Sequence, residues 1–221
     1  MRMKYSWKIY NLKRINLSKK IINFNRKNKF NYIENGLYNH VRDIFCIGLL
    51  LLDKKKKLNK ILDYGSNLIS LSNIRNKINT KKYKFFIFDP FCEKNINLKY
   101  PVNVTISNKK KFLKESNFDL INFGSSLQYL NSLDELKNNL NFFKTKVIVI
   151  THTPVTLKKS FKSSQNNHKN LIQKIHNYNS LISFFIKKKY KIIFKSINEK
   201  KYIGLKNNNK HTFSINIIFQ R

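Results

Sequence analysis

Short apolar runs, each followed by a longer mixed segment, recur from about residue 59 onward, and this alternation constrains the fold more than any other feature. "KILDYG" reads as a strand and "NLISLSNIRNKI" as a helix. "YKFFIFDP" is a strand that Pro90 should stop, because proline has no amide hydrogen to give to a ladder. "VNVTIS" is a strand and "KKKFLKES" a short helix. "FDLINFGSS" is a strand and "SLDELKNNLNFF" a helix, with Ser132 and Glu135 at the S-x-x-E spacing of a capping box. "KVIVITHTP" is a strand expected to end at Pro154. "NLIQKIHNYNSLISFFIKK" reads as one long helix, and "YKIIFKSI", "KYIGLK" and "TFSINIIFQR" as the last strands. Repeated β-α units with a strand-rich tail predict the α/β class. The expected architecture is a Rossmann-like, doubly wound sheet of about seven strands, mostly parallel with an antiparallel C-terminal strand.

The segment before this alternation reads differently. Residues 1–31 form a basic, Asn-rich N-terminal extension, and residues 32–221 a single domain with a helical lead-in at 32–58 and the Rossmann-like core at 59–221. In the lead-in, Leu37, Val41, Ile44, Phe45, Leu49 and Leu52 recur at helical spacing. The run "DKKKK" then places cations at the negative end of the helix dipole. The apolar stretch Phe45–Leu52 is far short of the roughly 18 residues that a bilayer span requires, so it predicts a buried helix and no transmembrane segment. No secretory signal is evident. Cys46 and Cys92 are the only cysteines, and their spacing suits neither a disulfide framework nor a metal site. A reducing, cytoplasmic setting is the simple expectation.

Charge admits two readings. Lys and Arg number 45 against 11 Asp and Glu, for a net +34. One reading is compositional drift: Lys, Asn and Ile are abundant together, all three are favoured by AT-rich codons, and the basic residues are spread along the whole chain. The other is a selected anionic partner, such as RNA, an acidic glycan or a membrane surface. Under either, such a surface binds polyanions nonspecifically and with strong salt dependence.

In a doubly wound sheet a ligand lies outside the carboxyl ends of the strands, near the switch point. Four strand ends therefore matter. In "LDYGSN", Gly65 permits a tight turn and a close backbone approach, Asp63 precedes it, and Asn67, which tolerates the left-handed conformation, stands where a second glycine is common. In "FIFDP", Asp89 could accept hydrogen bonds from both ribose hydroxyls of a nucleoside, or simply cap a turn. In "NFGSSLQYL", Gly124, Ser125 and Ser126 leave room for a reacting centre, with Gln128 and Tyr129 beyond; the plainer reading is a turn and a helix entry. In "THTPV", His152 is either a general base, its intrinsic titration range being near neutrality, or a surface histidine at a strand end. Thr153 is beside it, and the polar loop "KSFKSSQNNHK" follows. Five histidines without clustered carboxylates make no metal site.

Together these segments resemble the class I S-adenosylmethionine (SAM)-dependent methyltransferases. "ILDYGSN" resembles their first motif, "FIFDP" the acidic end of their second strand, and "FDLINFGSS" their fourth strand. A narrower resemblance is to a family of putative bacterial methyltransferases associated with surface-polysaccharide gene loci. "VRDIFCIGLLLL", "ILDYGSN", "GSSLQYL", "THTPV" and "SSQ" with Gln165 stand in that family's order, over roughly residues 32–195. Two positions depart: the loop lacks the family's later glycines, and His152 replaces its usual arginine.

The resemblance implies SAM as cofactor and a sugar, glycan or other small-molecule acceptor. It implies a cofactor set of Asp63, Gly65, Asn67, Asp89 and Ser125. It also implies an acceptor set of Gln128, Tyr129, Thr153 and Gln165; His152, which departs from the family's pattern, is the candidate base on its own chemistry if the acceptor is a hydroxyl. Two alternatives stand beside it. The charge suggests a nucleic-acid methyltransferase, although no N-P-P-Y-like stretch or cysteine follows the fourth strand. The depleted glycines suggest a non-catalytic binding protein that keeps the fold.

Overall fold

The computed structural model describes residues 40–52, 57–65, 80–89, 96–98, 104–165, 168–205 and 211–221. The N-terminal extension, the run Asp53–Lys56, Asn67 and the helix expected in "NLISLSNIRNKI" lie outside these residues. In chain order the elements are helix α1 (His40–Leu50), strands β1 (Asn59–Tyr64), β2 (Tyr83–Phe88), β3 (Ile96–Leu98) and β4 (Val104–Ser107), helix α2 (Lys110–Glu115), strand β5 (Leu120–Gly124), helix α3 (Asp134–Asn139), strands β6 (Val147–Thr156), β7 (Phe161–Gln165) and β8 (His168–Asn177), helix α4 (Tyr178–Ile186), and strands β9 (Lys191–Glu199) and β10 (Thr212–Gln220).

The sheet runs β3-β4-β2-β1-β5-β6-β10-β9. β4, β2, β1, β5 and β6 are mutually parallel, and β10 is antiparallel to both β6 and β9. This is the expected mostly parallel sheet with an antiparallel C-terminal strand. Strand β3 adds an antiparallel edge, and the β7–β8 hairpin joins the far end of β6 through Val155 and Thr156.

Central strands of such a sheet are buried on both faces, so they read as continuous apolar runs rather than alternating ones. Ile61, Phe85, Ile87, Val147 and Val149 pack with Ile44, Phe45, Leu49 and Leu52 of the α1 side. The other face holds Leu62, Phe86, Phe88, Ile121, Phe123, Ile148 and Ile150 against Leu136, Leu181 and Phe185. Each fully buried side chain of this size contributes about 1.5–3 kcal/mol. Gly48 lets α1 lie close on the sheet, since a Cβ there would sit 2.4 Å from a Val149 methyl carbon. Tyr190 closes the α4 turn from below, donating to the carbonyls of Phe142 and Thr145 at 2.9 and 2.8 Å.

Four sequence expectations change. "KYIGLK" forms no strand, only a single bridge from Leu205 to Gln165. The long helix expected across residues 170–188 is a strand followed by a shorter helix. Burial in β8 alternates through Leu171, Gln173 and Ile175, and α4 starts only at Tyr178. Asn177 caps that start by accepting from the Ser180 amide at 2.9 Å. Pro154 does not end β6, which continues to Thr156. β5 stops opposite Thr151, so Pro154 pairs only with Ser214 of β10, and its missing amide hydrogen interrupts no ladder on the other side. The capping box forms by half. Glu135 accepts from the Ser132 amide at 3.3 Å, whereas the Ser132 hydroxyl accepts from the amide of Asp134 at 3.1 Å.

Candidate functional site

Because β2, β1, β5 and β6 are parallel, their carboxyl ends share one edge, and the predicted residues Asp63, Gly65, Asp89, Ser125 and His152 gather along it. The order in which strands are added reverses between β1 and β5, so the switch point lies where Gly65 meets Ser126. Gly65 has φ +69°, and a Cβ on it would sit 2.8 Å from the Ser126 Cβ. Glycine is required there for both reasons. Each turn is tied to the next strand: the Gly65 amide donates to the Phe88 carbonyl at 2.7 Å, Asp89 to Ser107 at 3.0 Å, and Ser125 to Thr151 at 2.9 Å.

Asp63 is fully buried and accepts from the Asn122 side-chain amide at 2.8 Å, locking β1 to β5 under the turn. Asp89 is buried at the end of β2. Tyr64 packs its ring on Phe88 and Phe123, and burial, aided by the Glu135 charge, pushes its phenol up to about 12. The hydroxyl of Ser126 and the side-chain carbonyl of Gln128 are buried and make no hydrogen bond among the described residues. A buried polar atom without a partner costs about 1–3 kcal/mol, which a ligand donor at this turn would offset.

The acceptor-side residues divide. Tyr129 donates to the Gln165 side chain at 3.4 Å, so the β7–β8 hairpin brings these two together. Gln128 is buried, and Thr153 is fully buried, its hydroxyl donating to the Thr151 carbonyl of its own strand at 3.3 Å. Thr153 therefore serves strand β6 and presents nothing to a ligand. His176 of β8 holds the turn after β5 from beneath, donating from Nε2 to the Leu127 carbonyl at 3.1 Å. Burial keeps its imidazole below the usual histidine range.

His152 is more elaborately held than a surface histidine. Its Nδ1 lies 3.0 Å from the Ser125 hydroxyl and its Nε2 3.3 Å from Glu199. Its amide donates to the Asn216 side chain at 2.9 Å, and the Tyr202 ring stands edge-on at 5.9 Å. Tyr202 is fixed in turn by donating to Gln173 at 3.1 Å, and burial pushes its phenol up to about 12. Sequence reading missed Glu199, Tyr202 and Asn216. All three lie on late elements whose spacing to His152 carries no local signal.

Among the described residues no group of three side chains could hold a metal ion, and no helix is long and apolar enough to cross a membrane. A cleft lined by Lys60, Asn117–Asp119 and Lys144 opens at the opposite, amino end of the strands and belongs to no predicted site.

No family model matches this sequence, and no curated protein does. Solved structures do match in shape. A SAM-dependent methyltransferase from Methanosarcina mazei aligns with TM-score 0.51 at 16% identity, covering 84% of this chain and 98% of its own. The 1,6-didemethyltoxoflavin-N1-methyltransferase of Burkholderia thailandensis, with S-adenosylhomocysteine bound, aligns at 0.52 and 9% identity, covering 93% and 87%. The N-terminal domain of EvdMO1, also with S-adenosylhomocysteine, aligns at 0.51 and 8% identity, covering 81% and 79%. With this sheet order, the chain has the Rossmann-like fold of the SAM-dependent methyltransferases.

Proposed function

We propose that the protein is a SAM-dependent methyltransferase acting on a sugar or other small metabolite, in keeping with its resemblance to the surface-polysaccharide-associated family. The observation that carries this reading is the Gly65 turn, pressed against Ser126 at the switch point with Asp89 at the next strand end. SAM held there supplies an electrophilic methyl group. Asp89 would accept from the ribose hydroxyls, Gly65 and Asn67 would lie along the methionine part, and Asp63 holds the turn in shape. Ser126 and Gln128 offer unpartnered acceptors at that turn, which fits a ligand carrying donors. Tyr129 and Gln165 would orient the acceptor, and most of the acceleration would come from positioning.

Isothermal calorimetry with SAM tests the reading. Micromolar binding supports it and removes the non-catalytic alternative, and no binding at millimolar SAM overturns it. Methyl transfer to fractionated sugar precursors then identifies the acceptor. The net +34 charge favours a nucleic acid as second reading. RNA affinity that shows no sequence preference and vanishes at modest salt would reduce that charge to composition.

A further inference from the structure

Two left-handed residues and two β-bulges converge on one hydrogen-bonded chain. Ser125, directly after β5, has φ +53°, and His152 in β6 has φ +46°. Neither is glycine, and such conformations cost on the order of 1–3 kcal/mol each unless the surroundings hold them. Strand β10 pairs Ile215 with Thr153 and Ile217 with Ile150, so Thr151 and His152 together oppose the single residue Asn216. That is a β-bulge, and it turns the His152 side chain toward β5 and β9. A second bulge lies between β10 and β9, where Ser214 and Ile215 pair with Glu199 and Ile197 and leave Asn198 as the extra residue. It brings Glu199 to the imidazole from the other side.

Both imidazole nitrogens are therefore engaged. Glu199 accepts from Nε2–H, which leaves Nδ1 of neutral His152 as an acceptor for the Ser125 hydroxyl. The Ser125 oxygen is also 3.1 Å from the His152 carbonyl. Once Nδ1 is protonated, the serine hydroxyl can donate to that carbonyl and accept from Nδ1–H instead. Both ring nitrogens keep a partner in either protonation state of the ring. Ser125 precedes Ser126, the residue against Gly65, so this chain ends beside the proposed methyl donor.

We propose that Ser125, His152 and Glu199 form a proton-accepting relay, and that the methyl acceptor is therefore a hydroxyl group. This rests on the methyltransferase reading above. As the acceptor oxygen bonds to the methyl carbon, the bond from that carbon to the donor sulfur breaks and its electron pair stays on sulfur. The acceptor proton passes to the Ser125 oxygen while the serine proton passes to His152 Nδ1. The charged ring is held by the Glu199 carboxylate, and its proton then leaves to water, since the His152 and Glu199 side chains are 35% and 31% exposed. A neutral amine is nucleophilic enough to attack before it loses a proton, whereas a hydroxyl needs its proton removed as it attacks, which is what the relay supplies. Ser125 and His152 are the catalytic residues, and Glu199 is a positioning residue acting through His152.

NMR of the nitrogen-15-labelled full chain tests the relay without any acceptor. In the wild type the ring nitrogen-15 shifts of His152, assigned by their loss in His152→Gln, should report the Nε2–H tautomer of the neutral ring. That preference should be lost in Glu199→Ala and kept in Glu199→Gln. A neutral ring that carries its proton on Nδ1 in the wild type, or an unchanged Nε2–H preference in Glu199→Ala, overturns the relay. With sugar hydroxyl acceptors, Glu199→Ala should lower kcat about 100-fold, with SAM affinity by calorimetry unchanged. An unchanged kcat, or transfer only to amines, also overturns it. Loss of SAM binding in the wild type would instead sink the methyltransferase reading, so the two failures are distinguishable.

Discussion

The two halves of the carboxyl edge are built by different means. On the β1–β2 side the strands are regular and parallel, and among the described residues the unusual dihedral there belongs to a glycine, Gly65. On the β5–β6–β9 side, Ser125 and His152 take left-handed conformations without being glycine, and two bulges aim His152 and Glu199 at each other. The first half is relaxed and local. The second is strained, and it is held by contacts between residues far apart in the chain. A cradle for a bound group needs only backbone shape, whereas a proton relay needs side-chain atoms within a few tenths of an ångström, which regular strands do not provide.

Gly65→Val attacks the relaxed half most directly. It adds a Cβ 2.8 Å from Ser126 at φ +69°, and should destabilise the fold by about 2–4 kcal/mol, read from the denaturant midpoint. A smaller loss would mean that the β1 and β5 turns can separate, and the contrast between rigid halves would fail. Asp89→Ala should lower SAM affinity about 10–100-fold, because it removes charge-assisted hydrogen bonds to the ligand. Unchanged affinity would remove Asp89 from the cofactor set.

Acid stability sharpens the strained half. Burial keeps His176 in the folded state below its ordinary value of 6.5, so the unfolded chain takes up the proton first. Its stabilising effect is full above about 6.5 and is lost as pH falls below that toward the lowered folded value. The slope can reach about 1.4 kcal/mol per pH unit for one proton. His176→Asn should flatten this part of the stability curve measured by urea titration. Lys189→Gly provides the smallest effect and the control. Lys189 has φ +67° just past α4, where its amide donates to the Ile186 carbonyl at 2.8 Å. Its strain serves only a helix end, and glycine there should stabilise the chain by less than about 1 kcal/mol without altering His152.

Much of the first half was legible in the sequence. "KILDYG" and "YKFFIF" are continuous apolar runs ended by turn residues, and they are strands because both faces of the sheet are covered. Gly65 and Asp89 could be picked out because their types carry a local meaning. The β7–β8 hairpin was not legible. Leu171 and Ile175 fit a helical repeat as well as a strand face, and pairing with β7 decided between them. Thr153 looked available beside His152, yet it is fully buried and its hydroxyl donates to the Thr151 carbonyl. Glu199 lies 47 positions from His152, and nothing near either residue announces the other.

The amino-acid sequence by itself determined the β-α alternation and the glycine turn after the first strand, because apolar periodicity and backbone freedom are properties of neighbouring residues. Only the tertiary structure decided which side chains meet at the carboxyl edge. Ser125, His152 and Glu199 come from three strands, and their convergence depends on bulges whose positions follow from how β10 pairs with its two neighbours. Such register is set by long-range packing, which no short stretch of sequence encodes.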